Sequence, residues 1–489
     1  CGGAISHIND WMVLLPIFYQ EKELLGWASM FGHQLDCGGP IPGSLPVQAT
    51  TIYGEGIRIP PFKLYRRGEL NEEALGIILH NVRQPEFNRG DLMGLIAGCR
   101  TAEKRVLGLC NRFGKETYLA ALEALFERTR RAMAQLIREN VPEERLSFED
   151  YIDDDGLGNG PFKIKLTMWR EGERAIFDWT GTDPQASGPV NLYLNERMFK
   201  LLVGVYLIMV HDPQILFNDG YQELMEVILP EGSLLKPRFP AALGNRTHAL
   251  ARIFDVLCGC LGQRAPQFST AAGFSTSPHL IYSGLDAEGS WFQLLEICYG
   301  GIPGRPIGDG IDGHSMWPLT KNIPTEYIET YYPVRIDSLE CLPDSGGAGN
   351  HRGGNGVEKV YHFLAPGEVS IHDDRWLTYP WGILGGKPGA RSSKLLRRKD
   401  GTEEVLGSKL DNVQVEAGDI LFYRTWGGGG WGDPLERPYE EVRKDAIRGL
   451  LSIEKAQEEY GVILNPATFE VDEAASKKQH SRIRSGRGE

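Results

Sequence analysis

Two short polar clusters near the start of the chain repeat one spacing: His7-Ile8-Asn9-Asp10 and His33-Gln34-Leu35-Asp36. Two imidazoles and two carboxylates make a mixed nitrogen and oxygen set, which suits zinc, manganese or iron better than calcium or magnesium. Such chemistry requires the two clusters to meet. The residues between them supply the means. Trp11 to Tyr19 and Leu24 to Phe31 are short apolar runs, β-branched or aromatic in part, separated by the polar turn Gln20-Glu21-Lys22-Glu23. They predict two strands joined as a hairpin. The far ends of a hairpin are neighbours, so one H-x-x-D before the first strand and one after the second converge. Each H-x-x-D alone also fits a capped turn or a solvated pair, and neither has the specificity of paired C-x-x-C.

The elements that must hold this hairpin follow in order. Gly38 to Pro46 is too dense in Gly and Pro for a helix. Asn71 is placed to cap a helix from Glu72 to Val82. Helical period resumes over Asp91 to Arg112, breaks at Gly114, and runs again from Glu116 to Glu139 with Leu119, Leu122, Leu125, Phe126, Met133, Leu136 and Ile137 on one stripe. Asp153-Asp154-Asp155-Gly156 reads as an acidic turn, because the ligand ladder of a calcium loop is missing. Phe162 to Met168 and Arg174 to Trp179 alternate as an antiparallel pair, and helices are expected from about Asn195 to Val210 and from His248 to Leu261. From Tyr332 to Phe422 nearly every segment alternates at period two, which predicts a sandwich-like β module. Short helices cover Pro438 to Gly449 and Ile453 to Tyr460, and the charged tail after about Asp472 has a disordered composition. The expected fold class is a mixed α/β (α+β) composite in four regions: 1–145 with the metal site and helices, 146–330 mixed, 331–434 β-rich, and 435–489 with helices and a basic tail.

A chain of 489 residues with 41% apolar and 24% charged residues has room for two to four domains or one large composite fold. Its net charge of −13 argues against a nucleic-acid partner. No stretch approaches the roughly 18 apolar residues of a membrane helix, and no signal peptide is visible. Eight scattered Cys without C-x-x-C spacing read as thiols in a reducing cytoplasm. A chain that opens on Cys1-Gly2-Gly3 without Met reads as the later part of a longer polypeptide.

His314, in Asp312-Gly313-His314-Ser315-Met316-Trp317-Pro318, lies on a Gly-rich loop and is a candidate for proton transfer; a His bonded to loop backbone fits the same sequence. No G-x-x-x-x-G-K-[ST] occurs, and Gly346-Gly347-Ala348-Gly349 lies between predicted strands, so nucleotide binding on this chain is not expected. Tight backbone crossings explain the 60 glycines better.

Several segments carry a family likeness: Gly39-Pro40-Ile41-Pro42-Gly43-Ser44-Leu45-Pro46, Glu55-Gly56-Ile57-Arg58-Ile59-Pro60-Pro61, Asn81-Val82-Arg83-Gln84-Pro85, Asp178-Trp179-Thr180-Gly181-Thr182, Pro230 to Leu235, Asn322 to Glu326, Pro343 to Gly349 and Gly427 to Pro434. As an ordered set they resemble the B-type subunit of hydantoinases and oxoprolinases. Hydantoinase-like members read more like G-G-x-H-x-x-D and H-H-x-D-x-G-G. Here Ala4-Ile5-Ser6 separates Gly2-Gly3 from His7, and Gln34 stands where the second His would be. These departures, with Trp317-Pro318 after His314, look more like the ketone (acetone and acetophenone) carboxylases. The resemblance implies a divalent metal, zinc or manganese, on His7, Asp10, His33 and Asp36. It implies ATP and magnesium on a separate A-type partner, hydantoinase A-like and of the acetate-kinase/actin class, within a hetero-oligomer. The reaction implied is ATP-dependent joining of bicarbonate to a ketone in the cytoplasm. Trp11, Trp27, Phe31 and Trp317, close in sequence to the candidate site, fit either an apolar wall that excludes water or ordinary core aromatics. Hydrolysis of a cyclic amide, or a scaffold role, is the alternative.

Overall fold

The expected hairpin forms. In the computed structural model, which describes residues 7–316 and 321–486, β1 (Asp10–Tyr19) and β2 (Glu23–His33) pair antiparallel from Asp10↔His33 to Tyr19↔Glu23, with a register shift after Ile17. Gln20 and Glu21 take positive φ (48° and 61°), which turns the chain without glycine. Period-two alternation gives the hairpin two different faces. Trp11, Ile17 and Ala28 are buried on one, whereas Leu14, Trp27 and Phe31 are exposed. The strands are therefore half-buried.

Two helices support the buried face, and a third follows them. Asn71 accepts from Ala74 N (3.2 Å) and caps α1 (Glu72–Leu79). α2 (Pro85–Phe113) begins at Pro85, ahead of the expected Asp91, because proline in the first turn removes no hydrogen bond the helix could make. Its Leu92 and Ile96 pack with Trp11, and its Cys99 with Ile17 and Ala28. Gly114, at φ 86°, separates α2 from α3 (Lys115–Asn140). Along α3 only the second half of the stripe is buried, at Met133, Leu136 and Ile137; Leu119, Leu125 and Phe126 are exposed.

The chain divides into two compact units, residues 1–145 with 167–246, and residues 146–166 with 247–489, where the sequence pattern suggested four regions. In the first, Arg174–Asp178 pairs antiparallel with the end of Phe162–Glu171 and parallel with Met225–Ile228. The helix Glu196–His211 is capped by Asn195, which accepts from Met198 N at 2.9 Å.

In the second unit a four-stranded and a five-stranded sheet share one apolar core, with Leu280, Tyr282 and Phe292 from one and Tyr361, Phe363 and Tyr423 from the other. The sandwich expected within 331–434 thus also takes His279–Leu285 and Trp291–Ile297. The acidic turn anchors the segment after Asp374: Asp153 accepts from Leu377 N (2.7 Å) and from Thr378 N (3.1 Å) and Oγ1 (2.6 Å). Beside it, buried Arg375 pairs with Asp150 (2.8 Å) and Asp255 (2.5 Å). The tail differs from expectation. Glu473–Gly486 is a helix, fastened by His480 Nε2 to Tyr460 O (2.8 Å) and by Arg484 to Glu436 (2.7 Å). Tertiary partners overcome its polar composition. Among the described residues no helix is long and apolar enough to cross a membrane.

Candidate functional site

Hairpin register sets the geometry of the site. Asp10 opens β1 and His33 closes β2, so the two are cross-strand partners. His7 folds back until its ring centroid lies 4.9 Å from that of His33, with Nε2 3.3 Å from Asp10 Oδ2. Asn9 pins this entry, donating from its side chain to Gln34 O (3.2 Å) and Gly43 O (3.0 Å). Its carbonyl accepts from Trp11 N and Gln34 N.

A fourth residue joins that no local pattern marked. Arg246, buried and 236 positions away, donates from Nη2 to Asp10 Oδ2 at 2.8 Å. Burial would raise the Asp10 pKa, but the His7 hydrogen bond and the Arg246 charge outweigh it and hold the carboxyl well below the ordinary range. His33 is exposed by area although protein atoms crowd its ring. That desolvation lowers its pKa and keeps the imidazole neutral at pH 7.

Asp36 stands apart. Oδ1 accepts from Gly38 N (2.8 Å) and Arg83 N (3.0 Å); Oδ2 accepts from Gly43 N (3.0 Å) and Arg83 Nη1 (2.9 Å). Both oxygens are fully engaged in holding the Gly-Pro loop. Glu55, fully buried, receives the Leu243 and Gly244 N–H groups on Oε1 and so fastens the segment that carries Arg246. Burial pushes its pKa up to about 7.

Whether these residues fit the implied metal turns on their donors. Two imidazoles and one carboxylate are the donor types of a three-residue zinc or manganese site, and His7, Asp10 and His33 supply them. Asp36 does not join them. As the side chains stand, no three His, Cys, Asp or Glu among the described residues have metal-holding geometry, and Arg246 occupies the Asp10 oxygen.

His7 and Asp10 line a cavity of about 2100 Å³ with apolar Trp11, Trp27, Ile59 and Phe62. Of the residues read as a wall, Trp11 and Trp27 line it and Phe31 does not; Trp317 falls outside the described residues, as do Gly2 and Gly3. His314 belongs to the second unit, where its N–H donates to Gly300 O (2.9 Å) and Nδ1 lies 2.9 Å from Ser315 O.

An apolar cavity with a polar cluster on its wall defines an enzyme-like ligand site. The sequence profile of the Hydantoinase B/oxoprolinase family matches residues 1–434, and the chain belongs to that family. The B-type component of a putative D-/L-hydantoinase from Pseudomonas sp. (strain NS671) is 31% identical over 94% of this chain and 79% of that protein. The crystal structure of the ATP-dependent caprolactamase from Pseudomonas jessenii superposes with TM-score 0.90 at 28% identity, covering 97% of this chain and 83% of that one. The acetophenone carboxylase delta subunit of Aromatoleum aromaticum is 24% identical over 93% of this chain and 72% of that protein. The family thus joins ATP-dependent amide hydrolases and ketone carboxylases.

Proposed function

We propose that this chain is the B-type subunit of an ATP-dependent enzyme that opens a cyclic amide. The observation that carries this is the pair His7–Asp10, backed by His33 and Arg246, on the wall of a largely apolar cavity, which suits a small ring with a polar amide. The likeness to caprolactamase and to a hydantoinase component supports the ring class over a ketone. An unstrained amide carbonyl is a poor electrophile, and the chain has no phosphate loop, so activation by ATP falls to an A-type partner in a hetero-oligomer. Within this chain, His7, oriented by Asp10, takes the proton of the attacking water. Arg246 meets negative charge as it develops on the carbonyl oxygen, and the apolar wall limits competing water. A divalent ion held by His7, Asp10 and His33 would take the place of that base, with His7 as its ligand, lowering the pKa of the water and polarising the same carbonyl.

Ketone carboxylation is the second reading, supported by Gln34 in the H-H-x-D position and the acetophenone carboxylase relative. The test uses the chain reconstituted with its A-type partner, ATP, and either lactams, hydantoins and 5-oxoproline or methyl ketones with labelled bicarbonate. Release of the ring-opened amino acid, lowered about 100-fold or more by His7→Ala, supports the proposal. Label in a β-keto acid with no ring opening refutes it and establishes the second reading.

A further inference from the structure

The cavity wall carries positive charge that the polar cluster does not account for. Arg58, Lys63, Arg66, Arg67, Arg100 and Arg238 all line it. The two carboxylates in the lining are already paired, Asp10 with Arg246 at 2.8 Å and Glu231 with Lys236 at 3.3 Å. Among the described residues, no carboxylate lies within ion-pair distance of any of the six cations. In a chain of net charge −13 this excess is local, not compositional. Cations gathered in a concavity with apolar walls concentrate anions there.

Arg58 stands against two aromatic rings. The backbone just before it is tied down, since Ile57 N donates to Cys37 O at 2.8 Å. Its guanidinium carbon lies 4.8 Å from the Tyr53 ring centroid and 5.2 Å from that of Phe239, and these rings meet edge to face at 5.8 Å. Both rings are otherwise exposed, at 62% and 67%. Aromatic contacts engage the faces of a guanidinium and leave its N–H fork at the edge, the geometry that grips a carboxylate or phosphate.

We propose that Arg58 is the anion anchor of this cavity, and that the cavity takes an apolar molecule bearing one carboxylate or phosphate group. The proposal rests on the reading of the cavity as the substrate chamber. Two sources of that charge are then available: a carboxylate on the ring substrate or its opened product, or a phosphoryl group placed on the substrate.

The test is calorimetric titration of the full chain with phenylacetate, phenyl phosphate and neutral phenylacetamide. At least one anion should bind roughly tenfold or more tighter than the amide. Arg58→Gln should abolish that preference, and Arg58→Lys, which keeps the charge without the fork, should restore part of it. The tighter anion names the source, carboxylate or phosphoryl. Unchanged affinity in Arg58→Gln, equal binding of the amide, or no heat from any probe overturns the proposal. Ring opening of a neutral lactam by the reconstituted complex is assayed separately. Its absence would count against the proposed function while the anion preference still stood.

Discussion

At Asp36 every oxygen accepts two N–H donors, and one pair of those bonds comes from Arg83, whose guanidinium also reaches Gly39 O at 2.6 Å. At Asp10 one oxygen meets His7 and Arg246 inside a cavity wall. Two carboxylates at the same H-x-x-D spacing thus have different chemistry, because one is ringed by fixed donors and the other lines the cavity. Asp36→Asn should therefore destabilise the fold by about 2–3 kcal/mol through loss of a buried pair, measured by denaturant unfolding. Metal content of the folded Asp36→Asn protein should stay at the wild-type level by plasma emission spectrometry, while His33→Ala loses bound metal. Loss of metal from both variants alike would restore Asp36 to the ligand set. The convergence of His7, Asp10 and His33 was legible because hairpin geometry follows from local residue pattern. Arg246 was not, since 236 residues of chain separate it from its partner and only tertiary folding brings them together.

The hairpin and the segment that carries Arg246, fastened by Glu55, are the elements that position this site. Strand alternation and the Asn71 cap are local physics and were readable in advance; the helical end of the tail was not, because its fasteners, Tyr460 and Glu436, lie elsewhere in the chain. Glu55 gives the element scale a pH signature. Its folded pKa of about 7 lies above the ordinary carboxyl value of 4.5, so the folded state holds a proton that the unfolded chain releases. Its contribution to stability is complete below pH 4.5, and is lost as pH rises through about 7. His33, whose pKa is lowered on folding, acts in the opposite direction over part of this range. The difference between wild type and Glu55→Gln isolates the Glu55 effect. Relative to Glu55→Gln, wild type should lose up to about 3 kcal/mol between pH 4.5 and 7.5, followed by urea unfolding at each pH. A difference that stays flat across this range would mean Glu55 is ionised throughout.

Over the whole molecule the glycines decide where a nucleotide can bind. A phosphate loop needs backbone N–H groups turned outward at a helix start, with glycine giving an anion room to approach. The glycines of the runs Gly300-Gly301, Gly346-Gly347, Gly353-Gly354 and Gly427 to Gly430 are used differently, as close backbone crossings. A Cβ on Gly427 would lie 1.7 Å from Ser345 O, and one on Gly301 would lie 1.8 Å from Gly354 O. Gly347 N donates to Gly428 O (2.8 Å), and Gly428 N to Gly354 O (2.9 Å). Their N–H groups are bonded to carbonyls of neighbouring segments, so these glycines offer no cradle for a phosphate. The sequence lacks a phosphate-loop pattern, and its acidic balance of −13 disfavours non-specific binding of a polyanion. Titrating ATP with magnesium into the chain alone should therefore give no binding heat, while the chain with its A-type partner should bind and hydrolyse ATP. Micromolar ATP binding by the chain alone would relocate the energy-coupling step to this subunit.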